Sequence, residues 1–247
     1  MQMWANPIII TALLAALFTV DSTAPQYKNR QYYEARGDIV WEVPTQEQII
    51  ALTFDDGPDP ADTPAILDLL KQYEAKATFF VIGTRVEAYP ELAKREIADG
   101  HEIANHSYHH RYFTRRIGGD RVYEDISQAE RVIVDTTGRK PSLFRPPGGF
   151  YGDNVVDAAK RSGYQVIMWS WHQNTRDWDT PGVKKIVDTV LNNAHNGDII
   201  LFHDYVEGQT QTVDALKQVL PELKNRGFRF VTVSELLTFR KTADGKH

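Results

Sequence analysis

The sequence contains no cysteine and no excess of positive charge, and each absence excludes a class of function. Without cysteine there are no disulfides, thiolate metal ligands or cysteine nucleophiles, so any metal site must use histidine, aspartate or glutamate. The formal net charge of −5 lacks the basic footprint that a nucleic-acid partner requires. What is present, 247 residues with 42% hydrophobic and 25% charged side chains, is typical of a globular protein with a substantial core.

An apolar run without charged residues lies close to the N-terminus, from Ile8 to Val20. It is short for a membrane span, which needs about 20 residues, and typical of the central region of an export signal. The run is not preceded by lysine or arginine, and Pro25 follows the small residues where cleavage would fall. Residues 1–24 therefore predict a cleaved signal peptide or, through residues 4–20, a membrane anchor, and in both cases a location outside the cytoplasm. A buried helix of the domain is the alternative.

Short apolar runs alternate with amphipathic stretches from residue 49 onward. The predicted strands are 49–54, 77–82, 101–105, 143–145, 165–170, 198–202 and 228–233. The predicted helices are 65–73, 90–99, 120–136, 154–161, 183–193 and 212–224. This alternation predicts a parallel α/β sheet of about seven strands, either a closed or incomplete barrel or a doubly wound open sheet. Residues 25–47 show no period and are interpreted as a linker with an extended segment at 39–41 that packs on the rim of the domain.

Side chains suited to catalysis follow the C-terminal ends of five predicted strands. They are Asp55 and Asp56, His106 and His110, Arg145, the segment 174–178, and His203 with Asp204. Parallel α/β folds build their active sites at this rim, so we expect these residues to meet in one site. Paired carboxylates such as Asp55 and Asp56 can divide two tasks, one binding a cation and the other handling a proton. A turn in which the aspartates cap the next segment is the alternative.

Histidines 106, 109 and 110 form the strongest candidate for a metal site. One helical turn would place His106 and His110 on the same face, and His106 and His109 could be paired in the same way. The spacing leaves the choice between His109 and His110 open. Two histidines and one aspartate would supply three ligands and leave a fourth position for water, as hydrolytic metal sites require.

The later rim residues supply complementary chemistry. Arg145 can hold a carboxylate in its ionised form, and the Gly148 N–H can stabilise an oxyanion. Asp177 and Trp178 add a carboxylate and an apolar wall, and His203 is suited to general acid catalysis. Taken singly, the segment from Arg145 to Gly148 is also compatible with an ordinary Pro-Gly turn. Asp177 and Trp178 are also compatible with a capped loop, and His203 with a structural histidine.

Together these segments resemble the polysaccharide deacetylase family, the carbohydrate esterases that share the NodB homology domain. The resemblance runs from about residue 48 to residue 237 and covers five motifs in order. They are TFDDGP at 53–58, HSYHH at 106–110, RPPG at 145–148, NTRDW at 174–178 and LFH at 201–203. The resemblance implies an incomplete (β/α) barrel that forms a single catalytic domain at residues 48–238, followed by a polar tail at 239–247.

The resemblance also implies the cofactor and the catalytic residues. One divalent ion, usually zinc, with Co²⁺, Ni²⁺ or Mn²⁺ as alternatives, would be held by Asp56, His106 and His110. Asp55 would be the base that deprotonates the attacking water, and Arg145 would hold Asp55 in place. His203 would be the acid that protonates the leaving amine, and Asp177 would support the pKa of His203. The substrate groove would be lined by Pro147, Gly148, Trp178 and Leu201.

Two positions depart from the family pattern. Gly148 stands where a bulky aromatic is common, and Asn174 stands where aspartate is common. We expect a more open groove and one negative charge fewer near the site. Neither position is an implied metal ligand, base or acid, so we expect activity to persist and substrate preference to be affected.

The implied function is the metal-dependent removal of N-acetyl groups from N-acetylglucosamine residues of an extracytoplasmic polysaccharide by a monomeric enzyme. Peptidoglycan is the first candidate substrate, and chitin or chitooligosaccharides are the next. One alternative is an O-deacetylase acting on acetylated xylan. Another is a catalytically silent glycan-binding protein, against which the intact set of acid, base and ligand residues argues.

Overall fold

The structure, a computed structural model, describes residues 28–208 and 210–240. The expected signal or anchor segment lies outside the described residues. Among the helices of the described ranges, none has the length and apolar character needed to cross a membrane.

The described part of the chain forms one curled, all-parallel sheet. Its strands are β1 (Ile39–Val40), β2 (Ile49–Asp55), β3 (Ala77–Val81), β4 (Glu102–Asn105), β5 (Leu143–Phe144), β6 (Gln165–Ile167), β7 (Ile199–His203) and β8 (Arg229–Phe230). Seven of them follow the order β1-β6-β5-β4-β3-β2-β7, and β8 pairs with the first residues of β2. The predicted incomplete (β/α) barrel is confirmed. The segment at 39–41, expected to pack on the rim, supplies the edge strand β1, which pairs with β6.

Helices follow most strands, as crossover connections between parallel strands require. They are α1 (Arg30–Ala35), α2 (Thr63–Gln72), α3 (Gly83–Ala88), α4 (Pro90–Ala98), α5 (Gly119–Thr137), α6 (Asp153–Arg161), α7 (Val183–Asn193), α8 (Thr212–Asn225) and α9 (Val233–Leu237). The six predicted helices correspond to α2, α4, α5, α6, α7 and α8 within a few residues. The short helices α1, α3 and α9 lack a long amphipathic period and were not predicted.

The central strand β2 is buried along its whole length because it lies between β3 and β7 and its two faces pack into separate parts of the core. Its alternate side chains divide between the two faces. Phe54 lies on the helix-covered face and stacks on Phe79 of β3 and Phe202 of β7, with ring centroids 5.0 and 5.8 Å apart. Thr53 and Asp55 therefore lie on the opposite face, toward the interior of the half-barrel, where Asp55 ends the strand.

Strand register brings the rim residues together. Asp55 is in register with His203 on β7 and with Phe80 on β3. Adjacent strands lie about 4.8 Å apart, so the end of β2 and the end of β7 present their polar residues side by side.

Candidate active site

A cleft of about 350 Å³ opens at the C-terminal rim of the sheet. Residues from all five rim segments line it or lie directly behind it. Of the predicted site residues, the lining includes Asp55, Asp56, His106, His110, Gly148, Trp178, Leu201 and His203. Arg145 and Asp177 are fully buried behind the wall, and Pro147 is buried beside Gly148. The structure thus gathers in one place side chains that are spread over 149 positions of the sequence, from Asp55 to His203.

Asp56, His106 and His110 converge on one point. The Asp56 Oδ1 atom lies 3.3 Å from Nε2 of His106 and 3.0 Å from Nε2 of His110. The expected helical turn is wrong, because residues 106–110 form an irregular loop in which Ser107 and His110 have φ of 69° and 55°. The left-handed backbone turns His110 back toward Asp56. His109 instead contacts Asp125, with Nδ1 2.9 Å from Oδ2, and does not point to this cluster.

The donor set fits a divalent cation. His106 Nδ1 lies 2.7 Å from the Arg145 carbonyl oxygen, which can only accept a hydrogen bond, so Nδ1 carries the proton. The Nε2 lone pair then faces the Asp56 carboxylate inside a buried site. Burial raises the pKa of Asp56, but the contacts with His106 and His110 outweigh burial and bring this pKa well below its usual value. A carboxylate and ring nitrogens that converge in this way, with one imidazole fixed by a hydrogen bond at its other nitrogen, are characteristic of metal ligands.

Asp55 forms a buried ion pair with Arg145. The guanidinium NH1 donates to Asp55 Oδ1 at 2.6 Å and to the Thr53 hydroxyl at 2.8 Å. The remaining nitrogens donate to the main-chain carbonyls of Ile167 and Met168, and the ring of Phe80 lies 4.0 Å from the guanidinium carbon. Burial lowers the pKa of Arg145 while Asp55 opposes the change, and the guanidinium stays charged. These contacts fix the orientation of Asp55 at the floor of the cleft.

His203 forms the second charged pair of the site. Its Nδ1 lies 2.7 Å from Oδ1 of Asp177, and its main-chain N–H donates to Oδ2 at 2.7 Å. Burial lowers the pKa of His203, but the Asp177 carboxylate, with help from Asp56 and Asp55, raises it to about 9. Asp177 is itself held by the hydroxyls of Thr175 and Thr212 at 3.1 and 2.7 Å. The environment of His203 therefore favours the protonated imidazolium form.

Several supporting residues were not predicted. Thr53 and Thr175 fall inside the motifs, so their contacts with Arg145 and Asp177 could have been suspected. Thr212 lies 35 residues from Asp177 in the sequence and carries no such signal. Asp204 is also buried; its Oδ2 accepts from the Thr63 hydroxyl at 2.6 Å, and burial together with nearby Asp56 raises its pKa to about 7.

Gly148 lies under two aromatic rings that the sequence did not reveal. It has φ of 61°, and a Cβ at this position would come within 3.0 Å of Tyr112 and 3.2 Å of Phe150. These two rings stack on each other with centroids 5.2 Å apart. Aromatic surface beside Gly148 is thus supplied by Tyr112 and Phe150, which both line the cleft together with Trp178.

The fold and the site define a class of protein: a hydrolase on an incomplete (β/α) barrel, with a two-histidine, one-aspartate set beside a carboxylate and an imidazolium. Comparison with known proteins agrees. The family model described as polysaccharide deacetylase matches residues 42–167. A peptidoglycan-N-acetylglucosamine deacetylase of Bacillus cereus is 50% identical over 211 residues, which cover 85% of this chain and 98% of that protein.

Two solved structures extend the similarity to the fold. A peptidoglycan N-acetylglucosamine deacetylase, solved in complex with 4-naphthalen-1-yl-N-oxidanyl-benzamide, superposes with a TM-score of 0.78 at 34% identity, covering 87% of this chain and 98% of that one. A family 4 acetyl xylan esterase from Clostridium thermocellum, in complex with a cobalt ion, gives a TM-score of 0.72 at 33% identity over 77% of this chain and 90% of that one. The chain belongs to the polysaccharide deacetylase family.

Proposed function

We propose that this enzyme removes the N-acetyl groups of N-acetylglucosamine residues in peptidoglycan. The main observation behind the proposal is that one cleft contains a carboxylate, Asp55, and an imidazolium, His203, each fixed by a buried partner. Asp55 is fixed by the buried Arg145 guanidinium, and His203 is kept protonated by the buried Asp177 carboxylate. Amide hydrolysis needs both a base for the water and an acid for the amine, and their environments assign those tasks.

Each residue of the cleft has a proposed task. Asp56, His106 and His110 would hold the divalent cation, which would supply Lewis-acid chemistry for the acetyl carbonyl and the attacking water. Asp55 accepts the proton of that water through Oδ2, because Oδ1 is occupied by Arg145. The Gly148 N–H donates to the carbonyl oxygen as negative charge develops there. His203 then donates its Nε2 proton to the departing sugar nitrogen while Asp177 holds Nδ1.

Zinc is the proposed ion. Two imidazoles and one carboxylate form a ligand set that zinc uses in hydrolytic sites, with a fourth position left for water or substrate. The remaining substrate contacts are assigned to Pro147, Trp178 and Leu201, together with the stacked rings of Tyr112 and Phe150. Aromatic faces at a cleft entrance suit the apolar faces of sugar rings.

Peptidoglycan is favoured over other glycans by the similarity to the Bacillus cereus enzyme, which extends over nearly the whole of that protein. Such a substrate requires a location outside the cytoplasm, for which residues 1–24 provide the export signal or, through residues 4–20, an anchor. We propose that the enzyme acts as a monomer, since the described cleft contains acid, base and ligands from one chain.

Acetate release by the full chain tests the substrate. The substrates are peptidoglycan, N-acetylglucosamine oligomers and acetylated xylan, each with added zinc and with chelator, and His203→Gln serves as the matched inactive control. We expect zinc-dependent release that is fastest from peptidoglycan. Preference for acetylated xylan would favour O-deacetylation, the second candidate, which the similarity to the acetyl xylan esterase supports. No zinc-dependent release from any N-acetylated glycan would overturn the proposal.

A further inference from the structure

A second group of two histidines and one aspartate lies away from the cleft. His172 belongs to a single 3-10 turn after β6, His195 follows the end of α7, and Asp198 directly precedes β7. Asp198 and His203 lie at opposite ends of β7, five residues and about 17 Å apart. The group is therefore separate from the candidate active site.

The three side chains converge as metal ligands do. His172 Nε2 lies 2.9 Å from Asp198 Oδ1 and 3.4 Å from His195 Nδ1. Ligand bonds of about 2.0–2.2 Å in a tetrahedral zinc site place the ligand atoms about 3.3–3.5 Å apart. The active-site group has the same ligand types at 3.0 and 3.3 Å. Both groups have the donor types of a zinc site, and each has one distance close to this spacing and one a few tenths of an ångström shorter.

His172 Nε2 forms one good hydrogen bond, with Asp198 Oδ1 at 2.9 Å, and its distance of 3.4 Å from His195 Nδ1 is long for a second one. His172 Nε2 faces both the Asp198 carboxylate and the His195 ring nitrogen, and the two rings stand at 88° to each other. A neutral imidazole nitrogen carries either one proton or one lone pair, so it can form a good hydrogen bond with only one of these neighbours. A cation placed between the three atoms is coordinated by all of them.

The surrounding contacts orient the carboxylate in advance. Asp198 is only 2% exposed, and its Oδ2 accepts from the His195 main-chain N–H at 2.8 Å and from Gln173 Nε2 at 3.1 Å. Oδ1 is left to face the His172 imidazole. Hydrogen bonds of this kind, one shell beyond the ligands, fix metal sites in position. His195 is exposed and His172 half-buried, so solvent can reach the group and supply a fourth ligand.

We propose that His172, His195 and Asp198 bind a second divalent cation, of the zinc class, with a structural task. The cation ties the end of α7 to the start of β7 and to the turn that follows β6. The same segment continues from His172 to Asp177 and Trp178, which it delivers to the cleft.

Zinc stoichiometry of the full chain tests this inference. The protein is stripped with chelator, loaded with zinc chloride, desalted and assayed for zinc per chain by mass spectrometry. The variants are His172→Ala/His195→Ala, Asp56→Ala/His110→Ala, the combination of all four, and the neighbouring Asn196→Ala as control. We expect two zinc ions in the wild type and in the control, one in each double variant, and none in the quadruple variant.

Thermal unfolding provides the second measurement, and circular dichroism checks that each variant is folded. Zinc should raise the Tm of Asp56→Ala/His110→Ala by several degrees but leave the Tm of the quadruple variant unchanged. The inference is overturned if the wild type binds a single zinc ion, or if His172→Ala/His195→Ala binds as much zinc as the control.

Discussion

Replacing Asp177 with asparagine should move the alkaline limit of catalysis to lower pH. The Asp177 carboxylate opposes the burial of His203 and raises its pKa to about 9, from an ordinary value of 6.5. Asparagine keeps the shape but removes this charge, so the pKa of His203 should fall toward its ordinary value, with only Asp56 and Asp55 still opposing the effect of burial. If the pKa returns to 6.5, the protonated fraction at pH 8 falls from about 90% to about 3%, a loss of roughly 30-fold in the available acid.

The pH dependence of kcat/KM for acetate release, with zinc saturating, measures this shift. A raised histidine pKa keeps the acid protonated above pH 6.5, so the wild-type rate should fall only at alkaline pH. A cation at Asp56 lowers the pKa of His203 in both the wild type and Asp177→Asn, so the test compares the two proteins. We expect the alkaline limb of the pH profile of Asp177→Asn to lie two or more pH units below that of the wild type. Titration of the His203 imidazole by NMR gives the same quantity without turnover.

Thr212→Val is the matched control for Asp177→Asn. It removes one hydrogen bond to Asp177 Oδ2 and leaves the carboxylate charged. The limb should therefore move far less than in Asp177→Asn. If a folded Asp177→Asn enzyme keeps the wild-type alkaline limb and His203 titration, then Asp177 does not set the charge of His203 and the assignment of the acid is wrong.

Three further changes test other parts of the account. Arg145→Met should lower the free energy of unfolding by about 3–5 kcal/mol, because it leaves the buried Asp55 carboxylate unpaired. Urea unfolding measures this decrease. A decrease of less than about 1 kcal/mol would contradict the inferred pairing. Tyr112→Ala should raise KM for an oligomeric substrate by about 3–10-fold with little change in kcat. The reason is that it removes aromatic stacking worth about 0.5–1.5 kcal/mol at the cleft entrance. A fall in kcat alone would contradict a role of Tyr112 in substrate binding. Asp204 has a pKa of 3.8 when unfolded and about 7 when folded, so the wild type loses stability as pH rises through that range. In the metal-free protein, Asp204→Asn should therefore have a higher free energy of unfolding than the wild type above pH 7, by at most about 4 kcal/mol. Below pH 4 the two free energies of unfolding should be equal. Equal values at both pH conditions would refute the argument that burial raises the pKa of Asp204.

The sheet could be predicted because its pattern is local. The alternation on β2 that separates Phe54 from Thr53 and Asp55 is visible in the sequence, and so is the rim position of each motif. The number of strands and the incomplete barrel followed from this alternation and from the family resemblance. The extra edge strand β1 is only two residues long, too short to show a period.

The details of the site could be predicted only for residues that belong to the five motifs. The expected helical turn left His109 and His110 as alternative partners of His106, and only the family resemblance selected His110. The turn does not form, and no residue type in HSYHH demands the left-handed backbone seen at Ser107 and His110. Partners that are distant in the chain were missed, including Thr212 beneath Asp177 and the ring of Tyr112 above Gly148. Tertiary packing sets these contacts, and local sequence carries little information on packing.

The most direct test of the account is acetate release from peptidoglycan by Asp55→Asn, measured alongside its zinc content. Asparagine cannot accept the proton of the attacking water, but it leaves Asp56, His106 and His110 in place. We predict a folded protein that retains zinc at these residues and loses activity by at least about 100-fold, the contribution expected of a general base. Near-wild-type acetate release by a zinc-loaded, folded Asp55→Asn enzyme would contradict the assignment of Asp55 as the base.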